Sequence, residues 1–283
     1  MSKPSIEILL KMVWGASSPP FAETTATLFE TPEMLDTLGQ LEQLLRLKAS
    51  GVLCGPNGTG KSLLLDALLE RLSDKEFLAV KHAHASVTGP DLLRSLCRAY
   101  GLEPALRRSD NVHRLLKHWQ ALGTIHPLVV VDEAQQLDSR ALEELRLLCA
   151  DRTRLTGKDR TAPFSLLLCG DNDLLPTLAM GVHRALRSRL GFCLWTAAFS
   201  EEQSTQYVIF RWAEVGVRTC PFDAQALTLL HQAATGVPRT INQIGTLATA
   251  LAARAKSATI DQQHVQAALG QLPWLVTDSR GVP

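Results

Sequence analysis

A glycine-rich octapeptide, Gly55-Pro-Asn-Gly-Thr-Gly-Lys-Ser62, restricts the possible folds of this chain more than any other stretch. The apolar run Gly51–Cys54 comes directly before it, and a leucine-rich segment with helical character begins at Leu63. Glycines allow backbone N–H groups to turn inward toward an anion, and a helix that starts at the end of the loop adds its positive dipole end. A strand, a glycine-rich loop and a helix in this order therefore predict a phosphate site.

We call this octapeptide the phosphate loop. Its residue types also indicate what each residue would bind. We expect the Lys61 ammonium to reach the β- and γ-phosphates of ATP and the Ser62 hydroxyl to bind Mg²⁺. A glycine-rich turn that matches by chance is the alternative, and the strand before the loop and the helix after it disfavour that reading. The predicted nucleotide contacts are Gly55, Pro56, Asn57, Gly58, Thr59, Gly60, Lys61, Ser62 and Leu63.

Two consecutive carboxylates, Asp132 and Glu133, follow the fully apolar run Leu128–Val131. A buried strand would deliver Asp132 to the carboxyl edge of a parallel sheet, where its side chain can hold the magnesium shell. The adjacent Glu133 can then polarise an attacking water, so this pair fits hydrolysis better than transfer to a bound metabolite. The alternative is a strand that ends in a solvated Asp-Glu pair.

A third apolar run, Phe164–Cys169, ends in Gly170-Asp171-Asn172. Asp171 is our first choice for a side chain that senses the γ-phosphate, and Asn172 is the second. Many strands end in Asp or Asn, so this pattern by itself is weakly specific.

Two groups of arginines complete the predicted site. Arg184, Arg187 and Arg189 precede the last predicted strand, and one of them would reach the γ-phosphate of a neighbouring subunit in a ring-forming ATPase. The planar guanidinium suits that role, and Arg189 is our choice, although three arginines also fit a solvated helix face. Arg239, in Gly236-Val-Pro-Arg-Thr-Ile-Asn242, would lie at a helix start as a second phosphate sensor or as a surface residue.

Apolar runs alternate with amphipathic segments through the middle of the chain, which predicts an α/β fold with a parallel sheet covered by helices on both faces. Residues 1–32 are expected to be an irregular extension, 33–199 the α/β core, 200–272 a small helical lid, and 273–283 a tail. Thr31 and Pro32 should start a helix with Leu35, Leu38, Leu41 and Leu45 on one face. Predicted strands are Gly51–Cys54, Phe77–His82, Leu128–Val131, Phe164–Cys169 and Gly191–Trp195. Predicted helices include Ser62–Leu72, Asp91–Tyr100, Asn111–Leu122 and Arg140–Ala150.

Charge and composition exclude several classes of protein. The formal net charge is +1, which argues against a surface that grips nucleic acid everywhere and leaves a local basic patch open. The 6 cysteines form no CxxC pair, so we expect neither a zinc site nor a disulfide framework. Neither a secretory signal nor a run of about 18 apolar residues is found, so a cytoplasmic protein without a membrane span is expected.

With these motifs in hand, the chain resembles the AAA+ ATPases. Within them it is similar to the branch that holds the ExeA-type secretion ATPases and the transposition regulators of the TnsC, TniB and MuB kind. The residues that carry this likeness are Trp14-Gly-Ala-Ser-Ser-Pro-Pro-Phe21, Gly170-Asp171 and Gly236–Asn242. ExeA-type proteins usually continue into a membrane helix and a cell-wall-binding region, and their absence before Pro283 favours the transposition regulators.

The resemblance implies an ATPase that oligomerises on double-stranded DNA as a ring or helical filament. It also implies recruitment of a transposase, and of a targeting protein in some systems. Residues 71–118 hold nine Lys or Arg against five Asp or Glu, and parts of this stretch fall where related transposition ATPases line their DNA channel. Such contacts would be to phosphates and sensitive to salt, although solvated helix faces explain the charges equally simply. The predicted DNA-binding residues are Lys81, His82, His84, Thr88, Arg107 and Arg108.

Two other functions remain open from the sequence. A secretion or assembly ATPase of the ExeA kind would act on protein partners and show no response to DNA. A replication or repair loader would differ from a transposition regulator in its partner, a helicase instead of a transposase.

Overall fold

The structure is a computed structural model that describes residues 5–22, 27–83, 88–150 and 163–278. Its residues form two compact units. The sheet unit comprises residues 32–56 and 61–196, and the helical unit comprises residues 1–31, 57–60 and 197–283, each within the described ranges. Among the helices of those ranges, none is both long and apolar enough to cross a lipid bilayer.

A five-stranded parallel sheet forms the centre of the sheet unit, with the strand order β2-β3-β4-β1-β5. The three inner strands are buried along their whole length, because helices cover both faces of a parallel sheet. The two outer strands are only partly buried, as edge strands are. The strands are β1 (Gly51–Cys54), β2 (Phe77–His82), β3 (His126–Val131), β4 (Ser165–Gly170) and β5 (Phe192–Trp195).

Helices connect these strands, and two short 3₁₀ turns, Ala134–Gln136 and Gly181–His183, lie between them. The apolar side chains of the helices and of the sheet form one continuous core, in which the rings of Trp119 and Phe164 lie 4.6 Å apart. The helices of this unit are α2 (Pro32–Arg46), α3 (Lys61–Arg71), α4 (Gly89–Ala99), α5 (Arg108–Ala121), α6 (Ser139–Ala150), α7 (Leu174–Ala179) and α8 (Arg184–Arg187).

The helical unit has a separate apolar core. Three of its helices begin at a residue whose side chain caps the helix. Ser200 forms a capping box with Gln203, Asp223 accepts a hydrogen bond from the backbone N–H of Ala226, and Asp261 caps the following helix with His264. The helices are α1 (Ile6–Trp14), α9 (Glu201–Glu214), α10 (Ala224–Ala234), α11 (Pro238–Ala255), α12 (Gln262–Leu269) and α13 (Pro273–Asp278).

The N-terminal segment differs from the sequence prediction, which made residues 1–32 irregular. Residues Ile6–Trp14 form α1, and this helix packs against α11. The indole of Trp14 donates a hydrogen bond to the carbonyl of Ala258 at 2.8 Å and contacts the ring of Trp212 edge-on. The reason for the error is that burial against α11, and not local helix signals, stabilises a helix of only 9 residues.

Two smaller predictions about helix faces and strand limits are also corrected. The first helix of the sheet unit buries Met34, Leu38, Leu41 and Leu45, whereas Leu35 is exposed. Strands β3 and β4 begin or end one or two residues away from the predicted limits, and β5 begins at Phe192. These shifts leave the carboxyl ends of β1 and β3 at the predicted residues Cys54 and Val131.

Candidate nucleotide site

The phosphate loop leaves β1 and ends in the first turn of α3. Gly58 and Gly60 have φ angles of +83° and +90°, which side-chain-bearing residues adopt at a cost, so the loop requires glycine at both positions. The Lys61 side chain is buried within the loop, and its ammonium donates to the carbonyls of Gly55 at 2.8 Å and Pro56 at 3.0 Å. The loop therefore curves around a fixed positive charge.

The start of α3 adds to the positive potential of this loop. The first turn of the helix contains no acidic residue, so its free N–H groups and dipole are not compensated locally. Ser62 is exposed there, Leu63 is half-buried, and Thr59 is completely buried. An exposed hydroxyl next to a buried ammonium at a helix start is a suitable arrangement for a phosphate and its cation.

The loop tip has a neighbour within the helical unit. The backbone N–H of Arg239 donates to the carbonyl of Gly58 at 3.2 Å, at the start of α11. A Cβ on Gly58 would lie 2.7 Å from the Arg239 Cβ and 3.0 Å from a methyl group of Val237, so a side chain at Gly58 would be blocked. The exposed Arg239 side chain thus starts directly beside the loop tip.

Asp132 and Glu133 follow β3 at the same edge of the sheet as the loop. The N–H of Asp132 continues the sheet by donating to the carbonyl of His82 at 2.9 Å. The Asp132 carboxylate is buried, and its Oδ1 accepts from the N–H of Glu133 at 3.0 Å. Burial, and then the Asp132 carboxylate, raise the pKa of the Cys169 thiol on the neighbouring strand, so the thiol stays neutral.

Glu133 has a backbone conformation that is unusual for its residue type. Its φ angle of +53° is in the left-handed region, which costs a residue with a side chain about 1 kcal/mol or more. Its carboxylate accepts a hydrogen bond from the Gln135 amide at 2.7 Å. The same amide accepts from the N–H of Asp171 at 3.3 Å through its oxygen. No role was predicted for Gln135 from the sequence, and its spacing of two residues from Glu133 is the signal that could have indicated one.

The sequence assigned Lys81 to DNA binding, and the structure places it beside the magnesium-type ligands instead. Its ammonium lies 2.6 Å from a carboxylate oxygen of Asp66 on α3 and 3.6 Å from Oδ2 of Asp132. It also lies 3.5 Å from the carbonyl of Ser62. Lys81 and Asp66 thus lie next to the predicted metal ligands. Counting charges along the sequence did not reveal this position.

The other predicted DNA-binding residues do not form one basic surface. His82 is buried, and its Nδ1 is 3.0 Å from the Ser95 hydroxyl. The Thr88 hydroxyl donates to Asp91. Arg108 forms a two-fold ion pair with the buried Glu144, with distances of 2.5 and 2.6 Å. Arg107 is exposed, and His84 lies outside the described residues.

The three arginines near α8 differ in exposure. Arg184 and Arg187 are exposed, whereas Arg189 is half-buried. Arg187 donates to the carbonyl of Ala179 at 3.1 Å, and Arg189 donates to the carbonyl of Ala185. At the end of β4, one carboxylate oxygen of Asp171 accepts from the N–H of Asp173, and Asn172 is exposed.

Comparisons with known proteins bear on the family and the fold of this chain. Residues 45–178 match the family described as AAA domain. General secretion pathway protein A of Aeromonas hydrophila is 30% identical over 239 residues, a match that covers 82% of this chain. This chain spans only 42% of the length of that relative.

Solved structures share the fold at low sequence identity. The Aeropyrum pernix ORC1 protein in complex with DNA matches with a TM-score of 0.64 and 19% identity, over 86% of this chain and 66% of that one. The Aeropyrum pernix ORC2 protein matches with a TM-score of 0.65 and 17% identity, over 89% and 71%. The Thermotoga maritima RuvB branch migration motor matches with a TM-score of 0.55 and 14% identity, over 86% and 70%. The shared fold identifies this chain as a protein with the AAA+ P-loop NTPase fold, and its residues 45–178 match the AAA domain family.

Proposed function

We propose that this chain is a cytoplasmic ATPase that works on double-stranded DNA as a homo-oligomer and regulates DNA transposition by recruiting a transposase. The observation that carries the ATPase part is that Lys61, Asp132 and Glu133 follow two buried parallel strands at the same edge of one sheet, and that all three act electrostatically on the Cys169 thiol of the strand between them. A buried ammonium inside a glycine loop, beside a buried and an accessible carboxylate, has the charges needed to bind and hydrolyse a triphosphate.

The residues present fit a magnesium ion. One oxygen of the Asp132 carboxylate is used by the Glu133 N–H, and the other faces the Lys81 ammonium at 3.6 Å. That second oxygen and the exposed Ser62 hydroxyl are hard oxygen ligands of the kind Mg²⁺ prefers alongside phosphates. When bound, the ion neutralises and polarises the phosphate oxygens.

The protein side chains then divide the work of hydrolysis. Lys61 and the loop N–H groups hold the β- and γ-phosphates, and the low local dielectric strengthens these contacts. Glu133 orients the attacking water and accepts its proton. Asp171, with Asn172 as the second choice, would sense the γ-phosphate from the end of β4, and Arg239 from the start of α11.

We assign the proposed DNA surface to exposed cations in and near α4 and α5. The groove beside the end of α4 is lined by Arg94, Arg98 and the loop 101–106, and Arg114 donates to the carbonyl of Glu103 in that loop. We call Arg98, Arg107, Arg114 and Lys117 the basic surface; all four are exposed. The Aeropyrum pernix ORC1 protein, which shares the fold, was solved with DNA, and this supports a DNA-binding role.

A test of DNA binding is ATP turnover with and without duplex DNA, at several salt concentrations. We expect DNA to stimulate turnover at low salt and to lose this effect as salt rises, because phosphate contacts release counterions. The double variant Arg107→Glu/Arg114→Glu should keep basal turnover and lower the salt slope of DNA affinity by about 2. The control is Lys75→Glu, which reverses the charge of an exposed lysine in the turn before β2. It should behave as the unmodified chain. Turnover that is indifferent to DNA would contradict the proposal.

A second candidate function is an ATPase of secretion or assembly, which acts on protein partners. The 30% identity to General secretion pathway protein A over 82% of this chain is the observation that favours it. It predicts turnover that DNA does not change at any salt concentration. A replication or repair loader is a third candidate, and a stable complex with a helicase instead of a transposase would distinguish it.

The trans role proposed for Arg189 has its own test. Arg189→Ala should abolish turnover and keep ATP affinity, because the guanidinium would act on the γ-phosphate of a neighbouring subunit. Mixing Arg189→Ala with Glu133→Gln should restore part of the turnover. In a mixed oligomer, a Glu133→Gln subunit supplies its intact Arg189 to the site of an Arg189→Ala subunit, whose Glu133 is intact. Arg184→Ala is the control and should turn over normally. Full turnover by Arg189→Ala alone would rule Arg189 out for this role.

A further inference from the structure

The amide of Gln135 joins two parts of the site that belong to different strands. Its Nε2 donates to the carboxylate of Glu133 at 2.7 Å, after β3. Its Oε1 accepts from the backbone N–H of Asp171 at 3.3 Å, at the end of β4. A side-chain amide can make both contacts, because it offers a donor and an acceptor at once. Only one orientation of the amide suits both a carboxylate and an N–H group, so the two contacts fix it.

The surrounding backbone leaves room for this amide and for little else. A Cβ on Gly170 would lie 2.7 Å from Oε1 of Gln135 and 2.9 Å from a methyl group of Leu174. A side chain at position 170, directly before Asp171, would therefore collide with the Gln135 amide, so this position requires glycine. On the other side, Gln135 lies in the 3₁₀ turn Ala134–Gln136, which brings its side chain back over Glu133.

Glu133 needs such a support because its own backbone does not hold it in an ordinary conformation. Its φ angle is +53°, and its carboxylate is only half-buried. A carboxylate that accepts a proton from water must be held in place, since a displacement of about 1 Å lowers a rate by roughly 10²-fold. The hydrogen bond from Gln135 provides this restraint and ties it to the segment proposed to sense the γ-phosphate.

We infer that Gln135 is a positioning residue that orients the water-activating Glu133 and couples it to the Asp171 segment at the end of β4. This inference rests on the proposed ATPase function. Gln135 itself takes no proton. It acts on the reaction only through the carboxylate that it holds and through the N–H that it accepts.

Gln135→Glu separates the two contacts. The new carboxylate keeps an acceptor for the Asp171 N–H, loses the donor to Glu133 and places a second negative charge against it. We expect its kcat for ATP to fall roughly 10²-fold, with ATP affinity within about twofold of the unmodified chain. Gln135→Ala should lose both contacts and show the same loss of kcat. Gln136→Glu, on the exposed neighbour in the same turn, is the matched control and should keep its kcat.

A second measurement does not depend on turnover. The backbone amide signal of Asp171 in a ¹⁵N–¹H spectrum should shift, and its hydrogen exchange should accelerate, in Gln135→Ala but not in Gln135→Glu. Unchanged kcat in both variants, or an unchanged Asp171 signal in Gln135→Ala, would overturn the inference. A chain that hydrolyses no ATP at all would refute the ATPase proposal, and the Asp171 signal would still decide whether Gln135 makes the link.

Discussion

Replacement of Glu133 by glutamine is expected to lower ATP turnover by about 10²–10⁴-fold while ATP binding is retained. Glutamine has nearly the same shape, and its amide can still face Gln135, but it cannot accept a proton from water. The variant should therefore hold ATP without consuming it. Phosphate release measures the turnover, and binding of a fluorescent ATP analogue measures the affinity.

The same variant also tests the link between nucleotide and assembly. If bound ATP orders the contacts between subunits, oligomers of Glu133→Gln should persist after ATP is added, whereas those of the unmodified chain should decay as ATP is consumed. Glu143→Gln is a suitable control, because Glu143 is an exposed acid that pairs with Arg146 on the surface of α6. Such a pair contributes little to stability, so turnover should be unchanged. Turnover of Glu133→Gln within a factor of two of the unmodified chain would remove Glu133 from its proposed role.

The inner strands and the phosphate loop could be predicted because their sequence signals are local. Strands β1, β3 and β4 are continuous apolar runs, since each is buried on both faces, and turn or polar residues mark their ends. The loop has glycines where the backbone adopts positive φ angles. The start of each of these elements depends little on distant parts of the chain.

The helix α1 and the contacts of Gln135 could not be predicted, because both depend on residues far away in the sequence. The first is stabilised by packing against α11, more than 200 residues later. The second requires that the ends of β3 and β4 be adjacent, which follows from the strand order and not from either segment alone. The choice between Met34 and Leu35 could not be predicted either, because the helical pattern allows either residue on the buried face of α2.

The predicted DNA residues show why a charge count is a poor guide to a surface. Residues 71–118 do contain an excess of cations. However, Lys81 pairs with Asp66 and Arg108 pairs with Glu144, and both acids lie outside this stretch of the sequence. These ion pairs, formed between elements that meet only in the fold, offset part of the positive charge that the count suggests. What remains exposed is a smaller set, including Arg107 from the original prediction.

Replacement of Lys61 by alanine is expected to weaken ATP binding by about 10²–10⁴-fold, the loss of two charge-assisted hydrogen bonds at about 1.5–3 kcal/mol each. Lys61 is only 6% exposed, and its ammonium is held by two backbone carbonyls of the loop. Because ATP stabilises only a folded chain that binds it, the melting temperature of the unmodified chain should rise with ATP concentration, and that of Lys61→Ala should not.

The control for Lys61 is Lys75→Ala, which removes an exposed lysine from the turn before β2. It should bind ATP with unchanged affinity and show the same ATP-dependent rise in melting temperature. Lys61→Ala and Glu133→Gln then separate two steps of one site, because the first should fail to bind and the second should bind without turnover. If Lys61→Ala bound ATP within threefold of the unmodified chain, the phosphate loop would not be the triphosphate site. The arrangement of Asp132 and Glu133 would then require a different ligand.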